Sequence, residues 1–381
     1  MIPSAREIAR MGHREIPAAS EAAAVGAAEP VSLPSRRPSD RIYEAAVRKI
    51  RRHTDPLPTG GPGALREMVR YATLAPSSHN TQCWRFQASE RSIVIRPDFG
   101  RRCPVVDPDD HHLFVSLGCA AETLRLAAAA MGFHGEVSFD AKDGGSVHVA
   151  LAKATPRRSP LFEAIPRRQS TRREYDGKPL SGEEWRLLEE SCSVEGVRLR
   201  LITEPREMER VLEFVVEANR AQMRDRAFVR ELKGWLRFNG REAVRRGDGL
   251  FSASSGNPTA PPWLGRLMVG LFLDETKETA KYTRHVRSSA GLAVLFSDGD
   301  DRARWIAVGR GFQRVALQAE ALDIRTAHLN QPLEVASFRA PFAAALGLGR
   351  VRPDLLVRFG RGPRLPPSLR RPLAQVLDLG P

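Results

Sequence analysis

Ala75-Pro76-Ser77-Ser78-His79-Asn80-Thr81-Gln82-Cys83-Trp84-Arg85-Phe86 is the stretch on which the reading of this chain turns. Pro76 biases the residue before it away from helix and into an extended path. Two hydroxyls and two carboxamides then follow within six residues, and an aromatic-rich run suited to a strand closes the stretch. In an extended segment those polar groups alternate in direction and present donors and acceptors together, which suits a polyhydroxyl chain or the edge of a heteroaromatic ring. An ordinary polar turn capping the next strand fits the same residues.

Working outward, Ile93-Val94-Ile95 reads as a strand, and an Ala/Leu-rich helix runs from about Leu113 to Met131, closes at Gly132 and leads to a strand over Glu136–Phe139. The pattern returns later: a strand over Leu292–Phe296, a helix over Trp305–Ala321 and a strand over Ile324–His328. Gly118 and Gly309 hold like positions in the two helices, and the turn comes fourteen residues after each, at Gly132 and at Asp323. Strand, helix, strand twice over predicts an α+β fold of two related halves, joined near Thr155–Arg168.

A second polar motif lies just past that joint: Arg167-Arg168-Gln169-Ser170-Thr171-Arg172-Arg173-Glu174-Tyr175. Arg168, Ser170 and Arg172 can converge on one phosphate, because guanidinium forks match phosphate oxygens and a hydroxyl adds a neutral donor. A solvated basic turn is the plainer alternative, and the central serine favours the phosphate.

Together these motifs produce a resemblance. APSSHNTQ-x-WRF resembles the APSxxNxQPW signature of the FMN-dependent nitroreductase superfamily, and RRQSTRREY resembles its RRSxR-type phosphate motif. The motifs stand in reversed order here. That order, the doubled halves and the endings HLNQPLEV (His328–Val335) and VRFGRGP (Val357–Pro363) are similar to the Acg-like branch, where one chain holds both halves as a pseudo-dimer and a lid covers a single FMN.

The resemblance implies a nitroreductase-like fold over about Arg41–Leu377, with residues 41–155 as the first half and 156–381 as the second. It assigns Arg168, Ser170 and Arg172 to the FMN phosphate, beside Gln169, with Arg371 as an added cation. Ser77, Ser78 and Asn80, with Gln82, would face the ribityl chain and the pyrimidine side of the ring. Gln331, Pro332 and Glu334 would line the dimethylbenzene-to-N5 side. It further implies two-electron transfer from NAD(P)H through FMN to a nitroaromatic, quinone or related acceptor, with no side chain acting as acid or base. The alternative is an FMN-sequestering protein whose lid blocks turnover. Cys83 stands where the family has Pro, which loosens a turn and removes no flavin ligand.

The lid is expected at about 234–265, a glycine-, serine- and proline-rich stretch read as a long loop with Leu250, Phe251, Trp263 and Leu264 as apolar anchors. Residues 1–40, rich in Ala, Pro, Ser and Glu, are expected to form a flexible tail, with helices beginning at Arg41 and at Ala64.

Bulk properties exclude more than they assign. A chain of 381 residues, 42% hydrophobic and 27% charged, is long enough for a sizeable core. The net charge of +14 invites a nucleic-acid reading. Only seven of the 59 basic residues are lysine, however, and the arginines are scattered with no aromatic-interleaved stripe, so they read as a solvated surface and no nucleic-acid partner is expected. The four cysteines lack C-x-x-C or metal-type spacing and read as free thiols. Asp109-Asp110-His111-His112 reads as a polar helix start and not as a metal site, and Ser77-Ser78-His79 lacks the nucleophile elbow of a hydrolase. No membrane span is read from the sequence, so a cytoplasmic protein is expected, monomeric as a pseudo-dimer or a homodimer of it.

Overall fold

The computed structural model describes residues 38–272 and 275–379. The expected tail lies outside the described residues up to 37, and from Pro38 the chain is already helical.

The chain opens with α1 (Pro38–Ile50) and α2 (Gly61–Ala72), both starting slightly before the sequence suggests. The hairpin β1 (Trp84–Ser89) and β2 (Ser92–Pro97) follows, then α3 (His111–Ala130) and a second hairpin, β3 (Phe133–Asp140) and β4 (Ser146–Lys153). After α4 (Pro160–Ala164) and α5 (Gly182–Ser191) come β5 (Val197–Ile202), α6 (Pro205–Arg224) and α7 (Arg226–Trp235). A small annex contains β6 (Leu236–Arg237), α8 (Gly240–Arg246) and β7 (Leu250–Phe251), followed by α9 (Pro262–Phe272) and α10 (Glu275–Arg287). The closing run is β8 (Gly291–Ser297), α11 (Arg302–Ala321), β9 (Arg325–His328), α12 (Gln331–Glu334), α13 (Ala336–Ala345), β10 (Pro353–Gly360) and β11 (Leu377–Leu379).

The repeat seen in the sequence is a repeat of topology. One sheet runs β1-β2-β4-β3 and the other β5-β8-β10-β9, every one of these pairings antiparallel. β11 joins the first sheet outside β1, parallel to it, with Phe86 opposite Leu377.

Between the sheets α3 and α11 cross at their glycines. A Cβ on Gly118 would fall 2.1 Å from the carbonyl oxygen of Ile306, and one on Gly309 would fall 2.0 Å from that of Val115. These are the same contact twice, related by an offset of 191 residues (118 to 309 and 115 to 306). The same twofold relates the Glu122–Arg314 ion pair (3.1 Å) to the Gln313–Thr123 hydrogen bond (2.9 Å). Both glycines are needed because only a residue without Cβ lets two helix backbones approach this closely.

Side chains of both halves share one apolar core, in which Trp84, Phe86, Phe114, Phe162, Leu295 and Phe359 are among the fully buried members. The helix α3 is long and apolar enough to cross a membrane, which the sequence reading overlooked, but 89% of its most apolar window is buried inside the protein, as befits the central core helix.

The long loop expected over 234–265 is largely ordered. Asn239 caps α8 by accepting from the Glu242 backbone, β6 and β7 pair in parallel, and a 3-10 turn follows over 252–255. Phe251 is buried against Tyr43, Ala243 and Leu369, whereas the supposed anchor Trp263 is 68% exposed. The basic surface expected from composition is only part of the picture, since Arg168, Arg237, Arg325, Arg358 and Arg370 are all buried.

Candidate functional site

Pro76 does send the chain out of helix, but the stretch after it is not extended. Residues 78–80 make a 3-10 turn in which His79, Asn80 and then Gln82 carry φ of 47°, 54° and 54°, left-handed values costly for non-glycine residues. The turn is held by named bonds. Gln82 N–H donates to Ser77 Oγ (2.9 Å), the Asn80 amide donates to the carbonyls of Gly249 (3.0 Å) and Leu369 (3.1 Å), and Gly249 N–H donates back to Asn80 O (3.2 Å). The annex around β7 is thereby fastened to the 75–86 segment.

The consequence is a pair of adjoining cavities that share Pro76, Ser77, Ser170, Arg172 and Leu250. The smaller, about 40 Å3, is lined by four arginines, Arg51, Arg168, Arg172 and Arg370, together with Asn80, Gln169 and Ser170, and by no carboxylate. Burial lowers Arg51 and Arg168 each to about 10, and it lowers Arg370 further with help from the other two guanidinium charges. Arg370 is saturated, donating to Asn80 Oδ1 (2.9 Å) and to the carbonyls of Thr73, Leu74 and Ala75. Arg51 Nε and Arg168 Nε are buried with no hydrogen-bond partner, and Arg172 makes no ion pair among the described residues. Four cations line one small space that no described carboxylate enters, with the buried Glu320 near enough only to temper Arg51 and Arg168, and such a space fits a phosphate dianion, because a buried charge left without a partner is costly until an anion meets it.

The larger cavity measures about 320 Å3, within the range of small-molecule and cofactor sites. One face of α3 forms a wall through His112, Val115, Ser116 and Cys119, whose three- and four-residue spacing keeps them together. Phe312 and the strand residues Ala327 and His328 form the floor, and Gln331 and Glu334 stand at the end of β9. Phe228, Leu232, Leu236 and Leu250 supply an apolar cover, and α10 contributes Glu278, Lys281, Tyr282 and His285.

Burial, reinforced by Arg172, lowers His79 to about 4 and His328 to about 3, and burial beside His111 lowers His112 to about 3. The imidazoles are therefore neutral. Glu334, raised by burial, accepts from the Gln222 amide (2.7 Å). His328 Nδ1, Gln331 Oε1 and Asn219 Nδ2 have no partner, three polar atoms suited to a ligand carrying its own donors and acceptors.

Of the residues singled out from the sequence, Ser77, Ser78, Ser170, Arg172, Gln331 and Glu334 line the larger cavity, and Asn80, Arg168 and Gln169 line the smaller. Three do not meet either. Gln82 is wholly buried and structural, its amide donating to Gly247 O (2.8 Å) and its oxygen accepting from Arg371 N–H (2.8 Å). Pro332 is buried at the first turn of α12. Arg371 points away, donating to Gln82 O and facing Asp98 at 3.7 Å, and its neighbour Arg370 takes the place expected of it.

Asp107, His111 and His112 lie close enough to share a metal ion, but Asp107 and one nitrogen of His111 are already engaged. Both Asp107 oxygens accept backbone N–H groups at the start of α3, from His112 (3.0 Å) and Leu113 (2.9 Å), and His111 Nε2 meets Asp354 at 2.7 Å. The stretch is a helix start, capped by Asp107.

Arg358 is the residue that sequence reasoning missed most completely. Fully buried on β10, it donates to the carbonyls of Thr171 (3.2 Å) and Arg173 (2.6 Å), the two neighbours of Arg172, and stacks 4.0 Å over the Tyr175 ring. It clamps the peptide on both sides of the cavity-facing arginine.

No family model matches the chain. A Mycobacterium tuberculosis H37Rv protein named as a candidate NAD(P)H nitroreductase, Rv3131, is 30% identical over 327 residues, covering 82% of this chain and 91% of the relative. A second protein of that strain, named as the candidate NAD(P)H nitroreductase Acg, is 22% identical over 333 residues, 83% of this chain and 95% of its own length. Among solved structures, a protein of Anabaena variabilis named as a candidate nitroreductase overlays at a TM-score of 0.45 with 12% identity, over 84% of this chain and 91% of that one. With the sequence likeness to Rv3131 running through both halves of this duplicated α+β chain, the protein belongs to the nitroreductase family.

Proposed function

We propose that this chain binds one FMN and uses it as an NAD(P)H-dependent oxidoreductase, passing two electrons to a nitroaromatic, quinone or related acceptor. The observation that carries the reading is the four-arginine cavity without a carboxylate, opening directly into a larger cavity with unpartnered polar atoms. Arg168 and Arg172 hold the phosphate, Ser170 adds a hydroxyl donor, and Ser77, Ser78 and Asn80 face the polyol and one ring edge. Gln331 and Glu334 face the other edge. Bound there, FMN supplies hydride chemistry, and the chain supplies orientation and a dry, neutral wall. The same reading takes residues 41–155 and 156–381 as the two halves of a pseudo-dimer that completes its flavin site within one chain, in the cytoplasm.

The direct test is the visible spectrum of the purified chain and of Arg172→Gln. A yellow protein whose flavin is lost in the variant is expected, and a chain that binds no flavin on reconstitution sinks the proposal.

A second reading, a flavin store, is favoured by the bonds that fasten the annex to the 75–86 turn. With residues 234–265 as a lid held shut by Gln82, Asn80 and Gly249, reduction by NAD(P)H would be slow. Deleting Ser252 to Pro262 should then speed anaerobic bleaching of the flavin. Equal rates in the two proteins would return the weight to the open enzyme.

A further inference from the structure

The twofold that builds the larger cavity also builds a second groove on the opposite side of the α3–α11 crossing. The correspondence can be followed residue by residue. Through the 191-residue offset, Cys119 of the cavity corresponds to Arg310 of the groove, Ala327 to Glu136 and His328 to Val137. Ser193 and Val194 precede β5 as the cavity-lining turn at Ser78 and His79 precedes β1.

The groove lacks a counterpart of the Arg168–Arg172 loop among its lining residues, and its chemistry has been remade. Four arginines line it, Arg125, Arg157, Arg310 and Arg314, against two acidic residues, Glu122 and Glu136. Glu122 is fully buried and answers three of the four: Arg125 at 2.6 Å, Arg314 at 3.1 Å and Arg310 at 3.3 Å. One carboxylate cannot neutralise three guanidiniums, so two units of charge remain. The three side chains are nonetheless only 22–25% exposed, and Arg314 is further fixed by donating to Ser191 O (2.8 Å). They form an ordered cationic floor that does not need to be arranged on binding. Arg157, exposed at the rim, makes no ion pair or hydrogen bond through its side chain among the described residues.

We infer that this groove is a second anion site, taking the phosphate group of a small ligand on Arg157, Arg310 and Arg314 while Glu122 holds the floor from beneath. The inference stands apart from the cofactor reading. Guanidinium forks favour phosphate over a spherical anion because two parallel N–H groups match two of its oxygens.

The test is calorimetric titration of the chain with orthophosphate at low ionic strength, with and without saturating FMN, beside Arg157→Glu. Arg157→Glu changes an exposed side chain without structural partners, so folding is not at issue, and Ser193→Glu places a repelling charge beside the groove as an independent check. With FMN present, one phosphate per chain is expected, not displaced by the flavin and weakened about tenfold or more in both glutamate variants. Unchanged binding in Arg157→Glu and Ser193→Glu, a phosphate that FMN displaces completely, or no binding to the unaltered chain would each overturn the inference. So would a chain that ignores orthophosphate yet binds a short DNA duplex, since that would mark a polyanion surface and not a small-ligand site.

Discussion

Replacing Arg358 by Met separates positioning from packing. Three backbone carbonyls, those of Thr171, Arg173 and His285, accept from its guanidinium. Leaving each without a donor costs roughly 1–3 kcal/mol. Against this, Arg358 has no carboxylate partner in an ion pair among the described residues, and removing a buried charge for an apolar side chain of similar length returns several kcal/mol of desolvation. The two contributions oppose each other, so the melting temperature should move little. Flavin affinity has no such compensation. With Thr171 and Arg173 released, Arg172 loses its aim, and the loss of a charge-assisted phosphate contact worth roughly 1.5–3 kcal/mol weakens binding by about 10- to 100-fold. The assay is fluorescence titration of the apoprotein with FMN, run beside thermal unfolding. A double-mutant cycle with Arg172→Gln then decides whether one residue acts through the other, in which case the double variant binds no more weakly than Arg172→Gln alone. Arg358→Met with unchanged affinity, or fully additive losses, would refute the positioning role.

Other outcomes follow from the same geometry. Arg370→Gln should weaken FMN binding and stability together, because its donors hold Asn80 and three carbonyls, while Arg371→Gln should leave affinity within about twofold, a contrast that equilibrium dialysis resolves. Gly118→Ala should destabilise the chain by roughly 1–3 kcal/mol or more in urea unfolding, since its methyl group meets a backbone carbonyl that cannot turn aside; wild-type stability would mean that the helices cross farther apart. Acid should destabilise the protein between about pH 6.5 and pH 4. His79, His111, His112, His285 and His328 are held neutral when folded and take up protons on unfolding, so stability rises with pH in that window, opposed in part by Asp107, Asp354, Asp110 and Glu334, whose carboxyls burial raises, the first two to about 6 and about 7. A flat profile of unfolding free energy against pH would contradict the neutral imidazole wall.

The duplicated architecture was legible because its signals are local: Gly118 and Gly309 mark the crossing, and the apolar runs flanking each helix mark the strands. The meeting of Arg168, Ser170 and Arg172 at one cavity was legible for the same reason, since they sit within five residues. Arg370, and not the Arg371 to which the resemblance points, lines the small cavity. In an irregular, extended stretch adjacent side chains face opposite ways, and nothing in PSLRRPL says which arginine faces in. Arg51 and Arg358 could not be read at all, because they reach the cavity from elements more than a hundred residues away from the Arg168 motif and their partners are backbone carbonyls, which leave no complementary residue in the sequence. The annex over 234–265 misled through composition. Its glycines terminate short elements, Gly247 in the left-handed conformation at the end of α8, and do not make a loop slack.

The parallel pairing of β11 with β1 sets a problem of timing. Phe86 meets a partner, Leu377, that lies 291 residues further along the chain. At about 5–20 residues per second, translation leaves the outer edge of β1 bare for about 15 to 60 s after its own hairpin has emerged. Bare strand edges recruit other strands, so a nascent chain of this protein is exposed to mispairing with its neighbours on the same messenger for all of that interval. Slowing synthesis downstream of β4 should therefore raise aggregation more than slowing it upstream of Trp84, and a trigger-factor-like holdase would be needed chiefly by chains that have passed the first half and not yet supplied β11.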